Sequence, residues 1–201
     1  MSNADNEERD ALRRTLRKAR AQLDAYEVQA RSLPICKQAI DLVADAQHIA
    51  AYYAFGAEVD LSVLMATLSQ RGRHIYVPIV LQHNQMAFAP VDESTPFELN
   101  QFGIREPKVD PASFAEASVL DAVLVPLVGF DEKCNRMGMG GGYYDRCFEH
   151  RQQSAGSPLL IGVAYDLQMA KSVYPESWDV PLDHVVTETG VISRARSARL
   201  D

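Results

Sequence analysis

Four glycines fall within five positions, Gly138, Gly140, Gly141 and Gly142, inside the stretch FDEKCNRMGMGGGYYDR that covers residues 130–146. Glycine at that density gives up backbone entropy and packing side chains, so the loop needs a compensating role. The stretch follows VLDAVLVPLVGF (119–130), the strongest buried-strand signal in the chain, and leads into YYDRCFEH, which reads as a helix. In a strand–loop–helix setting such a loop brings backbone N–H groups up to an anion, typically a phosphate. It is not a Walker A loop, because no Gly-Lys-Ser/Thr follows, and it is not G-x-G-x-x-G, because the third glycine would fall at Tyr143. A plain tight turn is the alternative, but a turn needs one or two glycines.

Cationic side chains that could meet a phosphate crowd the N-terminal segment: Arg9, Arg13, Arg14, Arg17, Lys18 and Arg20. Leu12, Leu16, Ala19 and Leu23 recur at helical spacing, and at about 100° per residue Arg9, Arg13, Arg17 and Arg20 form a neighbouring stripe. An apolar seam flanked by a basic ridge results. From spacing alone that ridge reads equally as a solvated charged face.

The elements that must position these groups alternate. A helix is expected over about residues 7–31, and Pro34 opens a second that ends near Ala46. HIAAYYAF (48–55), HIYVPIV (74–80), QMAFAPV (85–91), LLIGVAY (159–165) and VVTET (185–189) read as strands, and DLSVLMATLSQR (60–71) as a helix. Polar, proline-containing sequence runs from there to about residue 117, with FGIREPK (102–108) in its middle. Strands alternating with helices of a dozen residues imply one α/β domain of three layers over residues 1–201, a mostly parallel sheet flanked by helices. Residues 1–8 and 194–201 are expected to be flexible ends.

Composition narrows the function classes. A hydrophobic share of 47% and a charged share of 23% are those of an ordinary globular protein. The net charge of −7 disfavours nucleic acid as a partner. No apolar run approaches the roughly 20 residues that cross a bilayer, and the acidic N-terminus does not read as a secretory signal, so no membrane partner and a cytoplasmic location are expected. The three cysteines (Cys36, Cys134, Cys147) form no C-x-x-C pair, and the five histidines form no i,i+4 pair, which leaves disulfide and zinc frameworks without support.

The G-x-G-x-G-Y-Y-D-R run and the F-D-x-x-x-x-R-x-G approach to it resemble the 5-formyltetrahydrofolate cyclo-ligases. FGAEVD (55–60), EPK (106–108), IGVAYDLQ (161–168), the N-terminal basic helix and ESWDVPLDHVVTETGVI (176–192) match in the same order, so the resemblance covers residues 9–192. It implies the fold of those enzymes, which is shared with phosphosugar isomerases and CoA-transferases. It implies conversion of 5-formyltetrahydrofolate to 5,10-methenyltetrahydrofolate with release of ADP and phosphate, with Mg²⁺ as cofactor and a monomer as the working form.

Residue by residue, the resemblance assigns Arg9, Arg13, Arg136 and the backbone of Gly138, Met139, Gly140, Gly141, Gly142 and Tyr143 to ATP. Arg136 and Asp145 take the catalytic role, Asp145 and Asp183 the metal, and Asp179, four residues earlier, is the weaker metal candidate. Glu58, Phe102 and Tyr144 are assigned to the folate, with Gln168 a further pocket-lining candidate. Met139 and Gly141 stand where some members carry basic side chains, which shifts the burden onto backbone amides and onto Arg9, Arg13 and Arg136. Arg14, Arg17, Lys18 and Arg20 are read as surface charges. A nucleotide-binding protein without turnover and a phosphosugar isomerase are the competing readings, separable only at the site.

Overall fold

A computed structural model describes residues 3–81, 85–99, 105–152 and 156–195, with side chains from residue 6 onward. The helix expected over residues 7–31 is two: α1 (Asn3–Arg20) and α2 (Ala25–Leu42). The break is local chemistry. Asp24 accepts the Glu27 N–H at 2.8 Å, and the Glu27 carboxylate accepts the Asp24 N–H at 3.1 Å, a reciprocal cap that starts a new helix. Pro34 therefore lies inside α2 instead of opening it. At the other end α1 is already helical at Asn3, where a loose end was expected.

The remaining elements are β1 (His48–Ala50), α3 (Ser62–Gln70), β2 (His74–Val80), β3 (Met86–Val91), β4 (Phe97–Leu99), β5 (Arg105–Pro107), β6 (Ala122–Pro126), β7 (Gly129–Phe130), β8 (Arg136–Met137), α4 (Tyr143–Cys147), β9 (Leu159–Val163), β10 (His184–Val186) and β11 (Val191–Ser193). The run expected as one strand over 119–130 splits, because Leu127 and Val128 leave the sheet and Gly129–Phe130 pair instead with Arg136–Met137 in a short hairpin. The stretch around residues 97–107 also holds a hairpin, β4 with β5.

Seven strands form the central sheet in the order β11-β10-β9-β6-β1-β2-β3, parallel except at its two edge pairings. Alternation along β6 divides the core. Ala122 and Leu124 point to the side covered by α2 and α3, where Ile35, Ala39, Leu64 and Leu68 meet Ile49, Ile75 and Val163. Val123 and Val125 point to the other side, where Phe88, Phe148, Leu182 and Val185 pack. Helix α1 seats on that frame through Leu16, which is buried with Val128, Met137 and Val173. Gly129 makes the approach possible, since a Cβ there would collide with the Leu16 side chain. No helix among the described residues is long and apolar enough to cross a membrane.

From β1 the chain runs outward through β2 and β3, whereas β6, β9, β10 and β11 lie on the opposite side of β1. The direction of winding changes between β1 and β6. At such a point the loops leaving the carboxyl ends of the two strands part and leave a crevice. The loop after β1 carries Glu58, and the loop after β6 leads to the glycines.

Candidate active site

Two cavities open at that crevice. The larger, about 480 Å³, is walled by Arg9, Arg13, Arg136, Gly138, Gly140–Gly142, Asp145, Arg146, Glu149, Gln152, Trp178 and Asp179. The smaller, about 200 Å³, is walled by Glu58, Pro126, Leu127, Arg136, Gly138, Met139, Gly141–Asp145. Arg136, Gly138, Gly141, Gly142 and Asp145 belong to both. The glycine loop is thus a partition with a cavity on either side.

Its backbone explains the residue type. Gly140 and Gly142 sit at φ +102° and +64°, left-handed conformations that a side chain would strain, and a Cβ on Gly142 would also press on the Arg146 guanidinium. Gly142 is at the same time the residue from which α4 starts. Arg146 reaches back to donate to the Gly141 carbonyl at 2.7 Å and lies over the Tyr143 ring.

Arginines fasten the loop to the rest of the site. Arg13 donates from Nε to the Gly138 carbonyl at 3.0 Å, and its other end pairs with Asp10. Arg136 is buried. It donates to the Val180 carbonyl and to Asp145 Oδ1 at 2.5 Å, and the Val180 N–H donates to the same Asp145 oxygen at 3.0 Å. Arg9 bridges to Asp179 Oδ2 at 2.6 Å and lies 3.7 Å from Glu176. Its Nε is buried with no acceptor among the described residues. An orphaned guanidinium donor on the wall of a cleft suits an incoming anionic oxygen, because leaving such a group unpaired costs about 1–3 kcal/mol.

Three carboxylates line the larger cavity, Asp145, Glu149 and Asp179, of which Asp145 and Asp179 are paired with these arginines. Asp145 Oδ1 is the oxygen that meets Arg136 and the Val180 N–H. Asp183 is elsewhere. Its Oδ2 accepts from Arg151 at 2.5 Å and from the Leu160 N–H at 2.9 Å, and it walls neither cavity. Of the two aspartates in WDVPLD, Asp179 lies on the cleft wall, whereas Asp183, expected at the metal, ties β10 to β9. Asp145 and Asp179 offer hard carboxylate oxygens, of the kind and number that could hold a magnesium ion shared with phosphate oxygens.

In the smaller cavity Glu58 meets Tyr144. Glu58 Oε2 accepts the Phe55 N–H at 3.1 Å and Oε1 lies 3.4 Å from Arg20 Nη2. Burial pushes the Glu58 carboxyl above its usual range, while the Arg20 charge and the Phe55 N–H pull it back. Burial, helped by the nearby Glu58 charge, pushes the Tyr144 phenol far up, so it stays a neutral donor. Tyr143 and Met139 complete the walls. Phe102 lies outside the described residues.

Gln168 lines neither of these two cavities. It is buried, with Nε2 donating to the Leu127 and Val128 carbonyls at 2.8 and 3.1 Å and Oε1 accepting the Tyr165 N–H, so it fixes the exit from β6. Sequence reasoning passed over four wall residues, Glu149, Gln152, Trp178 and Arg146, and misread Arg20 as a surface charge. Trp178 carried the one available signal, as the chain's single tryptophan within a polar tail segment.

Comparison with known proteins agrees with this arrangement. The model of the 5-formyltetrahydrofolate cyclo-ligase family matches residues 5–188. The 5-formyltetrahydrofolate cyclo-ligase of Haemophilus influenzae is 34% identical over 182 residues, which cover 89% of this chain and 96% of that one. The protein of the same name from Escherichia coli strain K12 is 34% identical over 148 residues, 73% of this chain and 80% of its own. Among solved structures, the NMR structure of Aquifex aeolicus 5,10-methenyltetrahydrofolate synthetase superposes with a TM-score of 0.80 at 27% identity over 96% of both chains. With its parallel sheet, its glycine partition and its paired cavities, the chain belongs to the 5-formyltetrahydrofolate cyclo-ligase family.

Proposed function

We propose that this chain closes 5-formyltetrahydrofolate to 5,10-methenyltetrahydrofolate at the expense of ATP, with the triphosphate in the larger cavity and the folate in the smaller. One observation carries the reading: Arg136, Gly138, Gly141, Gly142 and Asp145 wall both cavities, so groups bound on the two sides would meet across the glycine loop.

The larger cavity supplies cations and a backbone without side chains, which is what a polyphosphate asks for. Arg9 and Arg13, one helical turn apart on α1, would reach the same phosphates, with Arg9 Nε already lacking an acceptor. Asp145 and Asp179 would hold Mg²⁺, which when bound neutralises phosphate oxygens. Arg146 and Arg13 brace the loop from either end. Trp178, 61% exposed at the rim, offers a flat face to a purine.

The smaller cavity supplies an acceptor and aromatic walls. Glu58 would take the N–H groups of the pterin's amino-pyrimidine edge, and Tyr144 would pack against the ring and donate its phenol hydrogen. In the reaction the formyl oxygen takes the γ-phosphoryl group and ADP leaves. N10 then attacks the activated carbon, its proton passes to the leaving phosphate, and the C–O bond breaks as the oxygen departs with that phosphate. Phosphoryl transfer of this kind needs alignment and charge stabilisation more than an acid–base relay. Arg136, committed to Asp145 and Val180, is placed to stabilise charge at the junction of the two cavities.

The enzyme is expected to act as a cytoplasmic monomer. The test is purified protein with ATP, Mg²⁺ and 5-formyltetrahydrofolate, following the methenyl chromophore and ADP together. One ADP per methenyl product, and no ADP without folate, is expected. ATP hydrolysis that ignores folate, or an absence of product, would overturn the reading.

A further inference from the structure

Arg20 occupies the last residue of α1 and is nine-tenths buried, with a side chain 11% exposed against 15% for Glu58. It donates from Nη1 to the Leu127 carbonyl at 3.2 Å while Nη2 lies 3.4 Å from Glu58 Oε1. Leu127 and Glu58 are both walls of the smaller cavity, and Leu127 is itself held by Gln168. A guanidinium anchored to a fixed carbonyl is a rigid support for the acid next to it.

We propose that Arg20 is a positioning residue for the folate: it holds the Glu58 carboxylate ionised and oriented at the wall of the smaller cavity, ready to accept two N–H donors from a planar amino-pyrimidine. This inference rests on the reading of that cavity given under Proposed function. With Oε1 beside Arg20 and Oε2 on the Phe55 N–H, each oxygen keeps a lone pair for a ligand.

The alternative is that Arg20 merely offsets a buried charge, and the surroundings argue for more. The ionisable and charged groups facing Glu58 are Arg20 from α1, Tyr52 just after β1 and Tyr144 on α4. Both phenols are kept neutral by burial and add no charge beside Glu58, which leaves Arg20 as the cation against it. Arg136, which lines the same cavity, is already committed to Asp145 and the Val180 carbonyl. Burial alone would leave Glu58 protonated further toward neutrality, and a protonated carboxyl offers one acceptor fewer. Arg20 lies seven residues beyond Arg13, about 10 Å along the helix, so α1 places guanidinium groups on the wall of the larger cavity and behind Glu58 and Leu127 at the smaller.

The test is equilibrium binding of 5-formyltetrahydrofolate, without ATP, to the full chain and to R20K, R20M, E58Q and R20M/E58Q between about pH 5 and pH 8. Affinity in the wild type is expected to rise with pH through the ionisation of Glu58. R20M should bind about tenfold more weakly at pH 7 and move that midpoint up by about one pH unit. R20K should restore most of the affinity, and in the E58Q background R20M should change little. An R20M midpoint equal to that of the wild type, or a loss as large in the E58Q background, would overturn the proposal. If R20M does not fold, the wild-type and R20K profiles decide, since R20K must keep the wild-type midpoint to within a few tenths of a unit. A wild type that binds folate without turning it over would sink the catalytic reading alone, whereas a wild type that binds none would sink both.

Discussion

Arg9 on the first helix donates to Asp179 near the far end of the chain at 2.6 Å, with both side chains largely buried on the wall of the larger cavity. Each of the two is a partner that a magnesium–nucleotide complex would compete for, the arginine by phosphate oxygen and the aspartate by the cation. In the free protein they neutralise one another. Arg9→Ala is therefore expected to raise the KM for ATP by about tenfold or more, through loss of a charge-assisted contact. Asp179→Asn should raise the Mg²⁺ concentration needed for half-maximal rate. Steady-state kinetics with ATP and Mg²⁺ varied separately checks both; an unchanged ATP response in Arg9→Ala would limit Arg9 to holding Asp179.

Asp145 and Asp183 should fail in different ways. Asp145→Ala is expected to lower kcat by about a hundredfold or more at saturating folate, since the residue touches both cavities. Asp183→Ala should leave the Mg²⁺ dependence intact and cost up to about 3 kcal/mol of stability, because it strips a partner from buried Arg151. Thermal melts and magnesium titrations of the two variants separate these outcomes.

The glycine loop offers a comparison in which folding and function part. Gly138 has open space where a Cβ would stand and no left-handed φ, whereas Gly140 and Gly142 are left-handed. Gly138→Ala is expected to fold as the wild type does and to raise the KM for ATP several-fold by crowding the cavity. Gly142→Ala should cost about 1 kcal/mol or more of stability as well as activity. A silent Gly138→Ala would mean that the loop only turns a corner.

Trp178 is the chain's single tryptophan and stands at the rim of the larger cavity. Adding ADP or ATP should quench its fluorescence in a saturable way, whereas inorganic triphosphate should leave it nearly unchanged. Equal quenching by both would move the base away from the indole.

Glu58 also sets a pH signature on stability. Its carboxyl is raised above the ordinary 4.5 by burial, so the folded state favours its protonated form. A group raised in the folded state contributes stability below its unfolded pKa and loses it as pH climbs through the folded value. The Tm of the wild type minus that of Glu58→Gln is accordingly expected to increase, by a few degrees, as pH is lowered from about 8 toward 4.5. A flat difference would mean that Arg20 offsets burial completely.

The sheet was legible because its strands are apolar runs, and β2 and β3 appear within a residue of where the pattern puts them. The helix boundary was not. Periodicity continues across residues 21–24, and only the reciprocal cap of Asp24 and Glu27 ends one helix and begins the next. Arg20 was misread for a related reason: an arginine on a basic stripe looks solvated until a loop such as 126–128 folds over it. Asp179 and Asp183 are four residues apart in a segment without helical period, so spacing could not say which faces the cleft. The glycine loop was the easiest part to read, since its composition departs from what packing alone would select.

Helix α1 packs through Leu16 and Leu12 against Val128, Met137 and Val173, and it carries Arg9 and Arg13 to one cavity and Arg20 to Glu58 at the other. Helix α1 thus supplies side chains both to the larger cavity and to Glu58. A truncated chain starting at α2 should keep its folded sheet yet grip neither reactant.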